Sequence, residues 1–371
     1  MTNRPDQRGA TTGTAEQRNS PAAAKPGETL LSVENLTVGF RREKDAGVIR
    51  VVDEVSFELR RGEVLGLVGE SGCGKSVTAL SLLRLLPSPP SVRENGRAMF
   101  GGRDLLSMPI RELQRVRGGR IGMIFQEPMS ALSPLHRIGD QLAETAMLHL
   151  PVRPREARAL ALDWLKRVGL PDAPQRMEDL PHQLSGGMRQ RVMLAMAMLP
   201  EPEILLADEP TTALDVTVQA QIFELLGRLR GGRTAVLLIT HDMGVVWEVC
   251  DRVHVMYAGR LVEKGTREAV FAHPSHPYTQ GLLAAMPRLH QQAKRLPDIP
   301  GQPPTPAEWP KGCRFAPRCP RAVAACGEGM PKWKHVFKEA TTSSTSEEPH
   351  EAACWRMETG SAERKNEHER M

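Results

Sequence analysis

Short segments that are almost wholly apolar recur through the middle of the chain. They lie at residues 64–68, 121–125, 204–207 and 235–239, and helical patterns separate them. A strand without alternating polar positions is typical of a parallel sheet that is covered by helices on both faces. This pattern predicts an α/β core built on a parallel sheet.

Residues 31–40 and 51–59 follow a different pattern, because apolar and polar positions alternate there. Val55, Phe57 and Leu59 fall on one face of the second segment. This alternation is typical of antiparallel strands with one face open to solvent. We therefore expect an antiparallel β edge sheet beside the parallel core. A hairpin that turns at Ala258-Gly259 is predicted to close the core near Gly265.

The remaining stretches predict the domain organisation. Residues of about 129–196 carry helical patterns without an apolar strand, which indicates a helical subdomain, and the segment after the hairpin is rich in proline and aperiodic. Both ends of the chain are polar or charged with few large apolar residues, as in disordered tails. The predicted units are a tail at 1–28, a main domain at 29–265, an extension at 266–337, and a mostly disordered tail at 338–371 that contains Cys354.

Composition and charge narrow the function classes. The chain has 371 residues, of which 40% are hydrophobic, and this allows a large buried core. No apolar run reaches the length of a membrane span, and the first 28 residues lack the apolar segment of a secretory signal, so we expect a cytoplasmic protein. The net charge of +5 is spread along the chain, which argues against a nucleic-acid partner.

A phosphate-binding loop follows the first apolar strand directly. The segment Gly-Glu-Ser-Gly-Cys-Gly-Lys-Ser fits the pattern G-x-x-x-x-G-K-S, and a helical stretch comes after it. Its backbone N–H groups and helix N-terminus would bind phosphates, Lys75 would reach the β and γ phosphates of ATP, and Ser76 would ligate Mg²⁺. The predicted nucleotide-binding residues are Gly69, Glu70, Ser71, Gly72, Cys73, Gly74, Lys75, Ser76 and Val77.

Two carboxylates follow the apolar strand at 204–207. Asp208 and Glu209 would lie at the carboxyl edge of the sheet, where such sheets bind ligands. Asp208 is predicted to hold the Mg²⁺ shell. Glu209 is predicted to orient and deprotonate the attacking water.

A second helix start with phosphate-binding character occurs at Leu-Ser-Gly-Gly-Met-Arg-Gln, residues 184–190. Ser185 is suited to cap the helix, and Gly186 and Gly187 allow an anion to approach the exposed N–H groups. A capped helix alone explains the serine. It does not explain a second anion-binding helix end in a chain with one phosphate loop.

These motifs, in this order, resemble the ABC ATPase family over about residues 30–265, and the resemblance implies a P-loop NTPase core. It also implies that Ser185, Gly186 and Gly187 contact ATP held by a second cassette, identical or homologous. Gln126 would contact Mg²⁺ and the water, His241 the γ-phosphate, and Asp215 would lie in the loop that crosses the dimer. Phe40 is a candidate for stacking on adenine.

The wording of the motifs resembles one branch, the dipeptide, oligopeptide and nickel import ATPases. The branch is indicated by Phe-Gln-Glu-Pro-Met at 125–129 and by His-Pro-Tyr-Thr at 276–279 in the extension. It implies ATP hydrolysis that drives a membrane importer, two integral membrane permease subunits, a periplasmic or lipoprotein solute-binding protein, and a peripheral position on the cytoplasmic face of the inner membrane. Peptides are the favoured substrate, and nickel or another small solute is the alternative. The rival classes are a non-transport ABC ATPase and a subunit that binds ATP without cleaving it.

Four cysteines cluster near the C-terminus, at Cys313, Cys319, Cys326 and Cys354. Four thiolates can hold a metal that replaces a missing hydrophobic core. Their spacing lacks the C-x₂-C pairs that are usual for structural zinc. The resembled branch implies a 4Fe-4S cluster, and zinc or plain thiols stay open as alternatives.

Overall fold

The computed structural model describes residues 27–41, 47–126, 131–211, 215–286, 298–336 and 349–358. In chain order, the strands are β1 (Thr29–Arg41), β2 (Val48–Arg60), β3 (Val64–Val68), β4 (Ser91–Phe100), β5 (Arg103–Asp104), β6 (Ile121–Ile124), β7 (Ile204–Asp208), β8 (Ala235–Thr240), β9 (Arg252–Tyr257), β10 (Arg260–Thr266), β11 (Lys334–His335) and β12 (Glu351–Ala352).

The helices alternate with the core strands. They are α1 (Lys75–Leu82), α2 (Ile110–Val116), α3 (Ile138–His149), α4 (Pro154–Arg167), α5 (Ala173–Arg176), α6 (Gly186–Met198), α7 (Val216–Arg230), α8 (Met243–Val249), α9 (Arg267–Ala272), α10 (Pro277–Ala284) and α11 (Ala325–Glu328). Short 3₁₀ helices lie at Pro181–Gln183, Pro306–Glu308, Ala316–Arg318 and Trp355–Glu358. Within the described ranges, no helix is long and apolar enough to cross a membrane.

The larger sheet forms the core, with strand order β11-β12-β10-β9-β3-β8-β7-β6. The five strands from β9 to β6 in this order run parallel to one another, whereas β10 pairs antiparallel with β9. Every residue of β3, β7, β8 and β9 is buried, and β3, β7 and β8 carry the predicted apolar runs, whereas β9 also contains Arg252 and His254. The predicted parallel α/β core is confirmed, and the carboxyl ends of β3, β7 and β8 meet at one edge of the sheet.

The smaller sheet is antiparallel, with strand order β2-β1-β4-β5. Val33 of β1 pairs with Phe57 of β2 on one side and with Ala98 of β4 on the other. The alternating side chains Val55, Phe57 and Leu59 are buried against the core, which confirms the predicted edge sheet. Strand β4 was not predicted, since its polar sequence carries no clear alternation.

A helical segment lies between β6 and β7. Helix α4 begins with Pro154 at its first turn, and the Arg153 backbone N–H donates to Glu156 Oε2 at 2.8 Å, which satisfies the helix start. Leu142 of α3 and Trp164 of α4 share a hydrophobic cluster with α6, so the helices of this segment pack as one unit. This segment coincides with most of the predicted helical subdomain.

The chain returns to the core sheet after the cysteine-containing segment. Strand β12 lies between β10 and β11, and its Ala352 pairs with Glu263 of β10. Residues 352–354 are buried. The prediction of a tail at 338–371 did not foresee this strand, because Glu263, the partner of Ala352, is 89 positions earlier in the chain. The other residues of that range, 338–348 and 359–371, and residues 1–26 of the predicted first tail lie outside the described residues.

Candidate functional site

The phosphate loop curls between β3 and α1 with glycine at its tightest positions. Gly69 and Gly74 have φ values of 156° and 107°. A Cβ at Gly69 would lie 2.1 Å from the Met256 carbonyl oxygen, and one at Gly74 would lie 2.8 Å from the Val51 carbonyl oxygen. Only glycine fits these two positions, because backbone atoms of other strands lie where a Cβ atom would be placed.

Lys75 lies inside the loop at the first residue of α1. Its side chain is 4% exposed, and Nζ donates to the carbonyl oxygens of Gly69 at 2.7 Å and Glu70 at 2.9 Å. These bonds hold a positive charge within the curl of the loop. Burial raises the pKa of the neighbouring Cys73 thiol, which keeps it protonated, as expected of a packing residue.

Ser76 and Asp208 meet at the carboxyl edge of the core sheet. Ser76 Oγ donates to Asp208 Oδ1 at 3.0 Å, and Asp208 is 3% exposed. Burial raises the pKa of Asp208, the hydrogen bond from Ser76 opposes that rise, and the charge of Glu209 adds to it. A hydroxyl and a carboxylate at this separation supply the oxygen ligands that Mg²⁺ prefers, so the two residues fit the predicted metal role.

Glu209 is the point on which the other predicted catalytic residues converge. Gln126 Nε2 donates to Glu209 Oε2 at 3.3 Å, and His241 Nδ1 lies 3.3 Å from Glu209 Oε1. Gln126, Glu209 and His241 lie just after the ends of β6, β7 and β8, respectively. Because the carboxyl ends of these parallel strands lie at one edge of the sheet, residues so distant in sequence meet there. Glu209 has a positive φ of 44°, and its backbone N–H donates to the Ile239 carbonyl oxygen at 2.9 Å. A non-glycine residue in this conformation is uncommon and is concentrated at functional sites.

The second predicted group lies at the starts of α6 and α7. Ser185 Oγ accepts from the Met188 backbone N–H at 3.3 Å, and Asp215 Oδ1 accepts from the Val218 backbone N–H at 3.0 Å. A Cβ at Gly187 would lie 3.0 Å from Val218 Cγ1, so the two helix starts are adjacent. Both side chains act as helix caps, and their described bonds stay within their own helices.

Parts of two predicted loops fall outside the described residues. These are Glu127, Pro128 and Met129 after Gln126, and Ala213 and Leu214 before Asp215. Phe40 is half-buried at the end of β1, next to the undescribed residues 42–46.

Two residues of the extension contact the phosphate loop, and sequence analysis did not identify them. Tyr278 Oη accepts from the Glu70 backbone N–H at 2.8 Å. Arg318 donates to both carboxylate oxygens of Glu70, at 2.7 and 3.0 Å. The sequence signal for Tyr278 is its place in the His-Pro-Tyr-Thr motif, and Arg318 directly precedes Cys319 of the cysteine cluster.

The four C-terminal cysteines come close to one another without forming a metal-ligand set. The Cys313 backbone N–H donates to the Cys326 carbonyl oxygen at 2.8 Å. Burial raises the pKa of Cys313 to about 11, and the nearby Cys326 and Cys354 add to the rise. Across the described ranges, no three His, Cys, Asp or Glu side chains form a group that could hold a metal ion. The structure therefore does not support the predicted 4Fe-4S cluster or its zinc alternative.

Comparison with family models gives two matches. The model described as ABC transporter matches residues 52–212. The model described as the C-terminal region of oligopeptide/dipeptide transporters matches residues 262–326.

Curated relatives match over nearly their full length. A probable peptide ABC transporter ATP-binding protein of Sinorhizobium fredii is 49% identical over 89% of this chain and 95% of its own length. The dipeptide transport ATP-binding protein of Bacillus subtilis is 47% identical over 88% and 95%, respectively. The oligopeptide transport ATP-binding protein of Salmonella typhimurium is 50% identical over 83% and 91%. The likeness therefore extends well beyond the phosphate loop.

Solved structures show the same fold. One is a dimeric ATP-binding cassette in a post-hydrolysis state with ADP and Pi, with a TM-score of 0.57 and 26% identity, covering 64% of this chain and 98% of that one. A second, cbiO1 of Clostridium perfringens, which is part of the ABC transporter complex cbiONQ, has a TM-score of 0.55 and 28% identity, covering 66% of this chain and 92% of that one.

Proposed function

The chain belongs to the ABC transporter family of ATP-binding proteins, and from this premise we propose that its ATP hydrolysis energises the import of dipeptides or oligopeptides. The observation that carries the hydrolytic role is the convergence of Gln126 and His241 on Glu209, next to the Ser76–Asp208 contact. The peptide substrate is supported by the names of the relatives, which are peptide, dipeptide and oligopeptide transport ATP-binding proteins, and by the family of the C-terminal region.

In this proposal, the phosphate loop binds ATP through its inward N–H groups and Lys75. Ser76, Asp208 and Gln126 would hold Mg²⁺. When bound, Mg²⁺ neutralises charge on the phosphate oxygens. The contribution of the loop is positional, since it fixes the triphosphate relative to the carboxylate at the end of β7.

Glu209 is the proposed general base. Its side chain is only 11% exposed, and its two oxygens are held by Gln126 and His241. The water oxygen attacks the γ-phosphorus, the bond from that phosphorus to the ADP oxygen breaks, and Glu209 takes the proton of the water. His241 is 64% exposed and would contact the γ-phosphate from the solvent side.

A second cassette completes the proposed site. Ser185 caps a 13-residue helix, and the N–H groups of its first turn, at Gly186 and Gly187, are suited to a phosphate. Asp215 lies at the neighbouring helix start, so both would face the nucleotide of the other cassette. One solved cassette with this fold is dimeric in two structures.

The proposed membrane partner is a pair of permease subunits that dock beside β6. A groove there is lined by Met123, Phe125, Met193 and Met196. Leu135 and Leu148 are large apolar residues that are 84% and 72% exposed on the same helical segment. Exposed apolar surface of this kind is typical of an interaction site. In this proposal the chain would lie peripherally on the cytoplasmic face of the membrane. A solute-binding protein would deliver the peptide on the other side.

The domain organisation that we propose combines a main domain at 29–265, its helical subdomain, and the extension that the second family match covers in large part. The proposed function gives no task to a metal cluster at the cysteines.

Reconstitution of the chain with its permeases and second cassette in vesicles tests this function. The proposal is supported if ATP cleavage is accompanied by the trapping of trialanine in the vesicles and if Glu209→Gln abolishes the cleavage. Nickel uptake without peptide uptake would show that nickel, and not a peptide, is the substrate. Absence of ATP cleavage by the wild-type complex would reject the function.

A further inference from the structure

Every polar group of Glu70 in the phosphate loop is bonded. Its N–H donates to Tyr278 Oη, and its carbonyl oxygen accepts from Lys75 Nζ at 2.9 Å and from the Cys73 N–H at 3.3 Å. Its carboxylate accepts two bonds from Arg318. Glu70 thus joins the loop to residues that lie 208 and 248 positions later in the chain.

The ring of Tyr278, whose hydroxyl contacts the phosphate loop, packs against two other aromatic rings. It is fully buried, its ring centroid lies 4.6 Å from that of Tyr257, and a second contact of 5.5 Å joins it to Phe315. The neighbouring Pro277 begins α10 and is buried as well. The hydroxyl that meets Glu70 therefore has little freedom to move.

Arg318 is held by the extension in a similar way. Its Nε donates to the Pro300 carbonyl oxygen at 2.9 Å, and Nη2 donates to the Ile299 carbonyl oxygen at 3.1 Å. A third bond, of 3.3 Å, runs from Nη1 to Tyr257 Oη. A guanidinium fixed in this way presents two parallel N–H groups to a carboxylate, which is the strongest form of such a contact.

We propose that Tyr278 and Arg318 are positioning residues for ATP, which act through Glu70 so that the C-terminal extension sets the affinity of the phosphate loop. This inference rests on the proposed function. The loop N–H groups bind phosphates only in one backbone arrangement, and Tyr278 fixes the Glu70 peptide within it. Arg318 also neutralises the Glu70 carboxylate, which would otherwise repel the phosphates beside Lys75.

The test measures ATP binding with a fluorescent ATP analogue and steady-state hydrolysis in the assembled complex. Arg318→Met should raise Kd and KM about tenfold, or about 1.4 kcal/mol, while kcat at saturating ATP stays within about twofold. Arg318→Lys keeps the charge but loses the paired N–H groups, so it should restore part of the affinity. Tyr278→Phe removes a single oxygen atom and should raise Kd about threefold.

Arg314→Met is the matched control. Arg314 is a buried arginine four positions earlier in the same segment, and its bonds go to Asp53 and the Ala258 carbonyl oxygen instead of the loop. It should lower the melting temperature without changing the Kd for ATP. This separates a general loss of docking of the extension from the contact to Glu70.

A double-mutant cycle tests the route through Glu70. Glu70→Gln removes the charge that Arg318 neutralises, so Arg318→Met should have a much smaller effect on Kd in that background than in the wild type. Equal effects in both backgrounds would overturn the proposed route.

The outcomes separate the inference from the proposed function. If wild type binds ATP and a folded Arg318→Met or Tyr278→Phe protein binds it equally well, the inference is wrong and the proposed function stands. The same increase of Kd in Arg314→Met would also overturn the inference. If wild type does not bind ATP, the proposed function falls and the inference falls with it.

Discussion

The Ser76 hydroxyl donates a hydrogen bond to Asp208 Oδ1 at 3.0 Å, although the two residues are 132 positions apart in the chain. The contact exists because β3 and β7 both run parallel to β8, so the loop after β3 and the end of β7 meet at one edge. The residues that we propose to bind the nucleotide and those that we propose to cleave it are neighbours there, but different strands carry them. Substitutions should therefore affect binding and turnover separately.

Glu209→Gln should keep ATP binding and lower turnover by about 10² to 10⁴ fold, which is the usual contribution of a positioned acid-base group. The amide keeps the shape of the side chain but takes no proton from water. Steady-state hydrolysis and ATP binding in the assembled complex measure the two effects.

The control for this substitution is Glu203→Gln. Glu203 lies just before the same strand, and its ion pairs with Arg120 and Arg61 are partly exposed. Its turnover should match that of wild type. Unchanged turnover in Glu209→Gln would remove Glu209 from its proposed role.

Gly69→Ala should destroy the phosphate loop, whereas Gly72→Ala should be tolerated. A Cβ at Gly69 would lie 2.1 Å from a backbone oxygen, while one at Gly72 has no atom within 4 Å. At Gly72 the cost is the left-handed conformation alone, with φ at 78°, or about 1–2 kcal/mol. Thermal unfolding and ATP binding compare the two variants, and a more harmful Gly72→Ala would contradict this account of the loop.

Asp53→Asn should lower the free energy of unfolding by about 3–5 kcal/mol at neutral pH, because it leaves a buried arginine without its charge partner. Asp53 is 4% exposed and pairs with Arg260 at 2.7 Å and with Arg314. The exposed pair of Asp163 and Arg167 offers the control, since Asp163→Asn should cost less than about 1 kcal/mol.

The effect of Asp53 should also depend on pH. Burial raises the pKa of Asp53, but Arg260 and Arg314 lower it by more than burial raises it. The pKa of Asp53 in the folded protein therefore lies below the ordinary 3.8. A lowered carboxyl pKa stabilises the fold above the unfolded pKa, and this stability is lost as the pH falls through the folded pKa. The difference between the free energies of unfolding of wild type and Asp53→Asn, measured with urea, should therefore be constant near neutral pH. It should shrink once the pH falls below the ordinary pKa of the carboxyl. A difference that grows on acidification would show that the pair is not the cause.

His350→Ala should destabilise the protein by about 1–3 kcal/mol, since it removes a partner from a buried carboxylate. His350 Nε2 lies 2.8 Å from Glu263 Oε1, and Glu263 is fully buried. His335→Ala is the control, because His335 is 64% exposed and 3.7 Å from its partner Glu351. Equal unfolding free energies for the two variants would mean that β12 does not depend on this contact.

Much of the fold could be predicted because its signals are local. The unbroken apolar strands, the alternation in β1 and β2, and the glycine spacing of the phosphate loop each lie within a few residues. Family resemblance implied the roles of Gln126, Glu209 and His241 but not the contacts of Gln126 and His241 with Glu209, and the physical basis of these contacts is that parallel strands end at one edge.

Other features could not be predicted because their cause is remote in the chain. Strand β4 has the polar sequence SVRENGRAMF, and it forms a strand because it pairs with the edge of β1. Tyr278 and Arg318 carry no pattern that points to Glu70. The two-residue strand β12 depends on pairing with β10 and on a buried carboxylate. The four cysteines are a different case, because their clustering in the sequence suggested a metal centre, and among the described residues their side chains form no group that could hold a metal ion.

Strand β12 has a consequence for biosynthesis. His350, directly before β12, contacts Glu263 87 positions earlier, so the edge of β10 in a nascent chain stays unpaired during the whole time that the ribosome needs to translate the extension. An unpaired edge is a template for strands of neighbouring polypeptides. Demand for chaperones should therefore peak late in translation, and transcripts that stop early should yield aggregates instead of a smaller working enzyme.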